Sequence, residues 1–389
     1  MPTGDFRVNV SQVGEHTGPS VAVFPDGGFV VVWTAGPQGG HKVVHARLFS
    51  KNGTPTSGEF LLTDKSPGSQ NADQVVADRD GSFLLAWTEV NPRGDKTDVF
   101  VRRFNRDGTP RGARFRANPP SASSRSGGVL AIGPSGRLIV GWSADVYLPN
   151  DGSYANAEAR YFTAAGVPLG NVFFLAEGAT GIGDDNEYAY PTGLALGPDG
   201  SLTALSQIYM SPGDLGTVLL HRPANGAPGS LRQLNPLTNY FLAPGSWLAL
   251  GRDGSLLAVW SQWEVVGERF APNGKPLGES FLVSKRAPEE VQLYPVAAPL
   301  PGGKFLIVWT DTEGRDGSGW GLFSRTFAAD GTPLSADVRI NATADGHQYA
   351  PAIATAPKGP VVVAWNRLTG TLGNEKYDIF ARVVIPASP

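Results

Sequence analysis

A pattern of about 50 residues runs seven times along the chain, a period that marks β-propellers and other repeat arrays. Each copy reads as an apolar stretch, a glycine turn, a stretch ending in Trp, a variable polar loop, an Arg-x-Phe stretch and a Gly-x-Pro turn. Copies begin near Pro19, Asp73, Gly128, Pro191, Ser246, Pro295 and Pro351. A unit of this size cannot bury its apolar face alone, so the copies must pack on one another.

The second copy shows how a unit should fold. Gln74 to Ala77 reads as a first strand and Asp80-Gly81 as a hairpin turn. Ser82 to Trp87 is the second strand, Val99 to Asn105 the third, and Asp107-Gly108 opens the turn into a fourth. Four antiparallel strands make one propeller blade. The first turn recurs as Asp26-Gly27, Asp199-Gly200 and Asp253-Gly254, the last as Gly53-Thr54-Pro55, Gly274-Lys275-Pro276 and Gly331-Thr332-Pro333. Glycine supplies positive φ and proline pre-sets φ, so both are turns by mechanism.

The seventh copy stops after its third strand, near Ile385. Its missing fourth strand lies at the other end, where Gly4-Asp5-Phe6-Arg7-Val8 matches Gly58-Glu59-Phe60-Leu61-Leu62. The expectation is one all-β domain over 1–389, a seven-bladed propeller with four-stranded antiparallel blades. Residues 4–10 should supply the outer strand of the last blade and remove an exposed sheet edge.

Composition excludes several classes. A formal net charge of −3 leaves no basic footprint for nucleic acid. There is no cysteine, hence no disulfide and no thiolate metal site. No apolar run approaches the ~18 residues of a membrane span, so membrane insertion is not expected. The N-terminal residues do not read as a secretory signal.

Residues that recur from copy to copy read as architecture. Six tryptophans close second strands (Trp33, Trp87, Trp142, Trp260, Trp309, Trp365), and arginines mark third strands (Arg47, Arg102, Arg160, Arg325, Arg382). Gln70, Gln292 and Gln348 precede first strands and should satisfy loop backbone groups.

Function is better sought where the repeat breaks its own rule. In the fourth copy Ser206 replaces the tryptophan and His221 the arginine. The neighbouring loops are long: Ser143 to Ala157 carries Tyr147, Asn150, Asp151 and Tyr154; Glu177 to Tyr190 carries Asp184, Asp185, Glu187, Tyr188 and Tyr190; Ser206 to Thr217 carries Tyr209 and Asp214. Tyr240, Phe241 and Trp263 follow, and Trp320 stands outside the repeat. Aromatic rings stack on sugar faces while carboxylates accept bonds from hydroxyls. In this reading Tyr147, Tyr188, Tyr190, Tyr209, Tyr240, Trp263 and Trp320 contact a ligand, and Asp184, Asp185 and Glu187 accept hydrogen bonds or hold Ca²⁺. The same carboxylates could form a glycosidase acid–base pair, and a solvated acidic loop would carry them too.

Two metal sets are conceivable. His16 and His347, with Glu15, Asp345 and His41 nearby, could hold Zn²⁺ across the N–C seam, although no H-x-H or H-E-x-x-H spacing is present. Asp311 and Asp316 lie in an Asp- and Gly-rich loop that suits Ca²⁺ but lacks the D-x-D-x-D-G pattern. No cofactor is required by any motif: nucleophile elbow, P-loop and dinucleotide fingerprint are all absent.

The segments PSVAVFPDGGFVVVW, DGSGWGLFSRTFAADGTPLSADVRIN and ADGHQYAPAIATA resemble a repeat common in large bacterial secreted and surface proteins. The likeness covers essentially the whole chain, more loosely in copies three to five. It implies an exported, extracellular or periplasmic protein that binds at a surface or matrix. In outline the chain is also similar to seven-bladed bacterial lectins, without a residue-by-residue match. No catalytic residue carries over, and sialidase-type S-x-D-x-G-x-T-W boxes are absent. The expected function is a non-catalytic, monomeric module binding carbohydrate or a surface protein. The alternatives are a polysaccharide- or small-molecule-acting hydrolase or lyase at the channel mouth, and a protein-interaction scaffold.

Overall fold

The structure, a computed structural model, describes residues 4–147, 153–177, 187–210, 214–225, 227, 229–235, 245–284, 291–356, 359–371 and 374–384. In chain order the strands are β1 (Phe6–Arg7), β2 (Glu15–Val23), β3 (Phe29–Gly36), β4 (Val43–Phe49), β5 (Phe60–Leu61), β6 (Gln70–Ala77), β7 (Phe83–Val90), β8 (Thr97–Phe104) and β9 (Phe115–Arg116). Next come β10 (Arg125–Ile132), β11 (Leu138–Tyr147), β12 (Ser153–Phe162), β13 (Pro168–Ala176), β14 (Glu187–Leu196), β15 (Leu202–Met210), β16 (Asp214–Arg222) and β17 (Ser230–Gln233). Then follow β18 (Ser246–Leu250), β19 (Leu256–Gln262), β20 (Glu264–Phe270), β21 (Phe281–Leu282), β22 (Gln292–Pro299), β23 (Phe305–Asp311), β24 (Gly321–Phe327) and β25 (Val338–Arg339). The chain closes with β26 (His347–Thr355), β27 (Val361–Thr371) and β28 (Asn374–Val384).

The fold is all-β, in four-stranded antiparallel sheets that follow the sequence copies. Four of them are β2–β5, β6–β9, β18–β21 and β22–β25. A fifth has the order β1-β28-β27-β26. Strands β10–β13 and β14–β17 are two such units joined into one eight-stranded sheet by a single parallel bridge, Ala155 to Tyr188. Inner strands contact one another in the cyclic order β2, β6, β10, β14, β18, β22, β26 and back to β2. On the axis is a cavity of about 290 Å³, lined by residues such as Val21, Val23, Val76, Trp247, Leu250 and Ile353.

The strands run further than their apolar cores imply. β6 starts at Gln70 rather than Gln74, and β7 continues past Trp87 to Val90. Ladder bonds hold these polar ends, and a bulge between Ala72 and Gln74 absorbs the change of register.

N-terminal closure is as the sequence implies. Phe6 pairs with Ala381 and Arg7 with Phe380. The Val8 amide donates to the Ile379 carbonyl at 2.7 Å, and Asn9 Nδ2 donates to Asp378 Oδ1 at 2.7 Å. Val8 is fully buried, and the Phe6 ring lies 5.3 Å from that of Phe49 in the next unit.

The repeated residues are architecture. All six tryptophans are at most 1% exposed, packed in the apolar clusters between units. In four units the residue after the tryptophan reaches forward to accept an amide of the next unit. Thr34 Oγ1 accepts the Ala72 amide (2.9 Å), Thr88 Oγ1 that of Gly127 (3.1 Å), Thr310 Oγ1 that of Ala350 (3.3 Å), and Asn366 Oδ1 that of Gly18 (3.1 Å). Each accepted amide lies at the bulge of an inner strand, where the ladder leaves it free. At the rim, Arg47 donates to the Val8 carbonyl, Arg325 to that of Val283 and Arg382 to that of Ile340, each on the preceding unit's last strand or just past it. Gln70 and Gln348 donate to loop carbonyls, while Gln292 Oε1 accepts the Val265 amide.

One latch carries a charge problem. Asp73, in the β6 bulge, accepts the Thr88 hydroxyl (2.8 Å) and the Gly128 amide (2.9 Å) on a single oxygen. Burial outweighs those two bonds and pushes its pKa up from 3.8 to about 7. A carboxyl whose pKa is higher folded than unfolded favours folding when protonated, so stability falls as pH rises from about 4 to about 7.

Two outcomes are expected. Removing residues 1–10 should lower the melting temperature far more than trimming a free tail of that length, because it reopens a sheet edge; an unchanged melting temperature contradicts the closure. Asp73→Asn should keep both accepted bonds and remove the ionisation, raising unfolding free energy at pH 8 by about 2 kcal/mol with little change at pH 4. Urea titrations at the two pH values read the difference, and equal effects at both would refute the buried charge.

Candidate functional site

The join between β12 and β14 builds a continuous polar and aromatic face. Strand alternation puts Asp145 and Tyr147 of β11 on one side of the sheet. The ladder sets Tyr147 opposite Ser153 and Asp145 opposite Ala155, so the same side continues across β12. Through the parallel bridge Ala155 faces Tyr188, with Tyr190 two residues on. On β15, Tyr209 lies opposite Tyr188 and Gln207 opposite Tyr190. Four strands from two units thus present Asp145, Tyr147, Ser153, Tyr188, Tyr190, Gln207 and Tyr209 on one surface.

The rings form a platform. Those of Tyr188 and Tyr190 stack with centroids 6.2 Å apart and planes 13° from parallel. Tyr209 leans on Tyr188 at 6.5 Å and 41°. The Tyr188 hydroxyl and Ser153 Oγ hydrogen-bond at 2.8 Å, fixing that ring. Tyr190 is 43% exposed and Tyr147 62% exposed, so the platform is open to solvent.

Its polar groups are perturbed. Burial pushes the Asp145 carboxyl up, opposed by the Arg125 guanidinium. Burial also pushes the Tyr190 phenol up, followed by the Asp145 charge and by Tyr188 and Tyr209. Arg125 Nη1 donates to the Asp145 carbonyl at 3.1 Å and so holds β10 to this end of β11.

Gln207 follows Ser206 and occupies the position that Thr34, Thr88, Thr310 and Asn366 use as a latch. Its side-chain amide nitrogen is buried without a hydrogen-bond partner, and the residue is 4% exposed. β18 runs in unbroken register from Ser246 to Leu250, without the bulge that the latched inner strands carry. A Thr192–Ser246 hydroxyl pair at 2.6 Å ties the two units instead.

Of the residues expected here from the sequence, Tyr147, Tyr188, Tyr190 and Tyr209 are brought together. Glu187 is buried, one position out of phase with Tyr188 and so on the other side of β14. Tyr154 is likewise out of phase with Ser153. Asn150, Asp151, Asp184, Asp185, Tyr240 and Phe241 lie outside the described residues. Sequence reasoning missed Asp145, Ser153, Arg125 and Gln207. The substitution of Ser206 for tryptophan was the available pointer to Gln207.

Trp263 and Trp320 are elsewhere. Trp263 has left-handed backbone (φ 72°), and its carbonyl accepts the Gln292 amide at 2.9 Å. The Trp320 ring meets His347 edge-on at 5.6 Å and Tyr349 at 6.0 Å.

The two metal sets are not assembled. Among the described residues no group of three or more His, Cys, Asp or Glu could hold a metal ion. The Asp311 carboxylate is fully buried against Arg315 at 3.0 Å, and Asp316 accepts from Asn341 Nδ2 at 2.6 Å and from the Ser318 amide at 3.1 Å. Their oxygens serve the loop's own fold. His16 is buried, its Nδ1 on the Tyr377 carbonyl at 3.1 Å, and burial lowers its pKa. His347 is exposed and accepts the Trp320 amide at 3.3 Å. His41 Nε2 bonds the Ser66 carbonyl at 2.9 Å, while Glu15 pairs with Lys42 and Asp345 with Arg367.

No family model and no curated protein matches the sequence. Solved structures do match. A protein of unknown function from Dyadobacter fermentans superposes with a TM-score of 0.57 at 12% identity, over 99% of this chain and 100% of that one. The polysaccharide lyase Uly1 gives 0.56 at 9% identity, over 96% and 90%. A K499G mutant of NanB sialidase from Streptococcus pneumoniae gives 0.51 at 12%, over 96% and 69%. At these identities the likeness shows the propeller-like fold and carries no residue across.

Proposed function

We propose that the protein binds carbohydrate without transforming it, on the platform formed by Tyr188, Tyr190 and Tyr209. The observation that carries the reading is the solvent-open stack of Tyr188 on Tyr190, beside the Asp145 carboxyl on the same face. Aromatic faces take the C–H faces of pyranose rings, and hydroxyls and carboxyls orient them through hydrogen bonds. The likeness to a polysaccharide lyase and a sialidase is consistent with a fold that handles sugars.

Two features favour binding over catalysis. A tyrosine nucleophile is activated by a lowered phenol pKa or by an adjacent general base, and burial and the Asp145 charge raise the Tyr190 phenol rather than lower it. A glycosidase of the usual kind brackets the scissile bond with two carboxyl groups, and among the described residues the other acid expected here, Glu187, is turned to the opposite side of the sheet. Ca²⁺ enters the reading as a possible ligand of the acidic loops. The setting is extracytoplasmic, by the likeness of the repeat to bacterial secreted proteins, and no helix among the described residues is long and apolar enough to cross a membrane.

A glycan array probed with the whole chain, with Ca²⁺ and with EDTA, should return specific hits. A blank array would shift the reading to a surface-protein partner. For a hit, Tyr188→Ala with Tyr190→Ala should raise Kd by about 30-fold, a loss of about 2 kcal/mol, with the circular dichroism spectrum unchanged. Unchanged affinity would remove the platform from the site.

A further inference from the structure

Resting on the glycan-binding reading, we infer that Gln207 makes the platform selective for N-acetylated sugars. The side-chain amide nitrogen of Gln207 is a buried donor with no acceptor, in a residue 96% removed from solvent by its 4% exposure. Leaving such a donor unpaired carries a desolvation penalty, which an incoming acceptor recovers. In four other units the residue at this position is satisfied by the bulge amide of the next unit. Here β18 runs from Ser246 in unbroken register, and the Gln207 amide nitrogen, a donor that a bulge N–H could not satisfy, faces no acceptor.

The register gives the direction. Gln207 lies directly opposite Tyr190, so its side chain rises on the face that carries the stacked rings. Asp145 of β11 shares that face, in line with Tyr188 through Ala155. The platform therefore has a donor on its β15 side and an acceptor on its β11 side. An acetamido group presents both complements in opposite directions: its carbonyl oxygen takes the Gln207 N–H, its N–H goes to an Asp145 oxygen, and its methyl rests on the tyrosine ring. A carboxylate or sulfate could take the Gln207 N–H but offers nothing to Asp145 and is repelled by it. The site is thus built for a neutral substituent with a donor and an acceptor. Seating it requires the Tyr190 ring to shift, since the Gln207 nitrogen is covered in the free protein.

Calorimetry with the whole chain tests this with sugars paired by stereochemistry: N-acetylglucosamine against glucose oligomers, and N-acetylgalactosamine against galactose. At least one acetylated member should bind about 10-fold or more tightly than its plain partner. Gln207→Met, nearly isosteric but without a donor, should cut that ratio below about 2-fold and leave the plain sugar's Kd unchanged. Gln207→Glu, which keeps shape and polarity, should do the same if the Met variant fails to fold. Equal affinities within each pair, or a ratio that survives both substitutions, overturns the inference while the glycan-binding reading stands. Absence of binding by every sugar tested sinks both.

Discussion

The hydrogen bond from a bulge amide to the residue after four of the second-strand tryptophans underlies much of the molecule. A four-stranded unit buries its apolar faces only against its neighbours, so the ring depends on how units meet. The tryptophans supply area there, but apolar contact is non-directional and does not fix a rotation. The latch does: Thr34, Thr88, Thr310 and Asn366 each accept an amide that the ladder of the next inner strand has left free. At the rim, Arg47, Arg325 and Arg382 reach the preceding unit's outermost backbone, so the seams between units six and seven and between units seven and one are bonded at both ends.

The candidate site arises where that device lapses. Between the third and fourth units one parallel bridge, Ala155 to Tyr188, joins the two sheets. Between the fourth and fifth, the latch residue is Gln207 and its bonding partner is gone. Seams latched in one way in four units thus give way, at the fourth, to a buried donor beneath the tyrosine face.

Legibility followed the physics of repetition. Periodic glycine turns, tryptophans and arginines fixed the strand count per unit and their order, because each recurs for a reason the chain states several times. The closing strand was legible since Phe6 to Val8 matches Phe60 to Leu62. The tyrosines were legible as departures from the repeat. Asp145, Ser153 and Gln207 were not, because their role comes from a register across four strands and a bridge between units that no local pattern encodes. The histidines and Asp311 and Asp316 misled for the opposite reason. Their residue types suit metals, yet each is absorbed by a backbone carbonyl, an arginine, an asparagine or an indole-bearing loop.

The account stands or falls on the place where a sugar sits. A crystal structure of the protein soaked with its best glycan-array hit decides it most directly. The account predicts a pyranose ring lying on Tyr188 and Tyr190 with polar contacts to Asp145 and Gln207. A sugar ordered beside Trp320 and His347, or in the axial cavity, with the tyrosine platform bare, would contradict it.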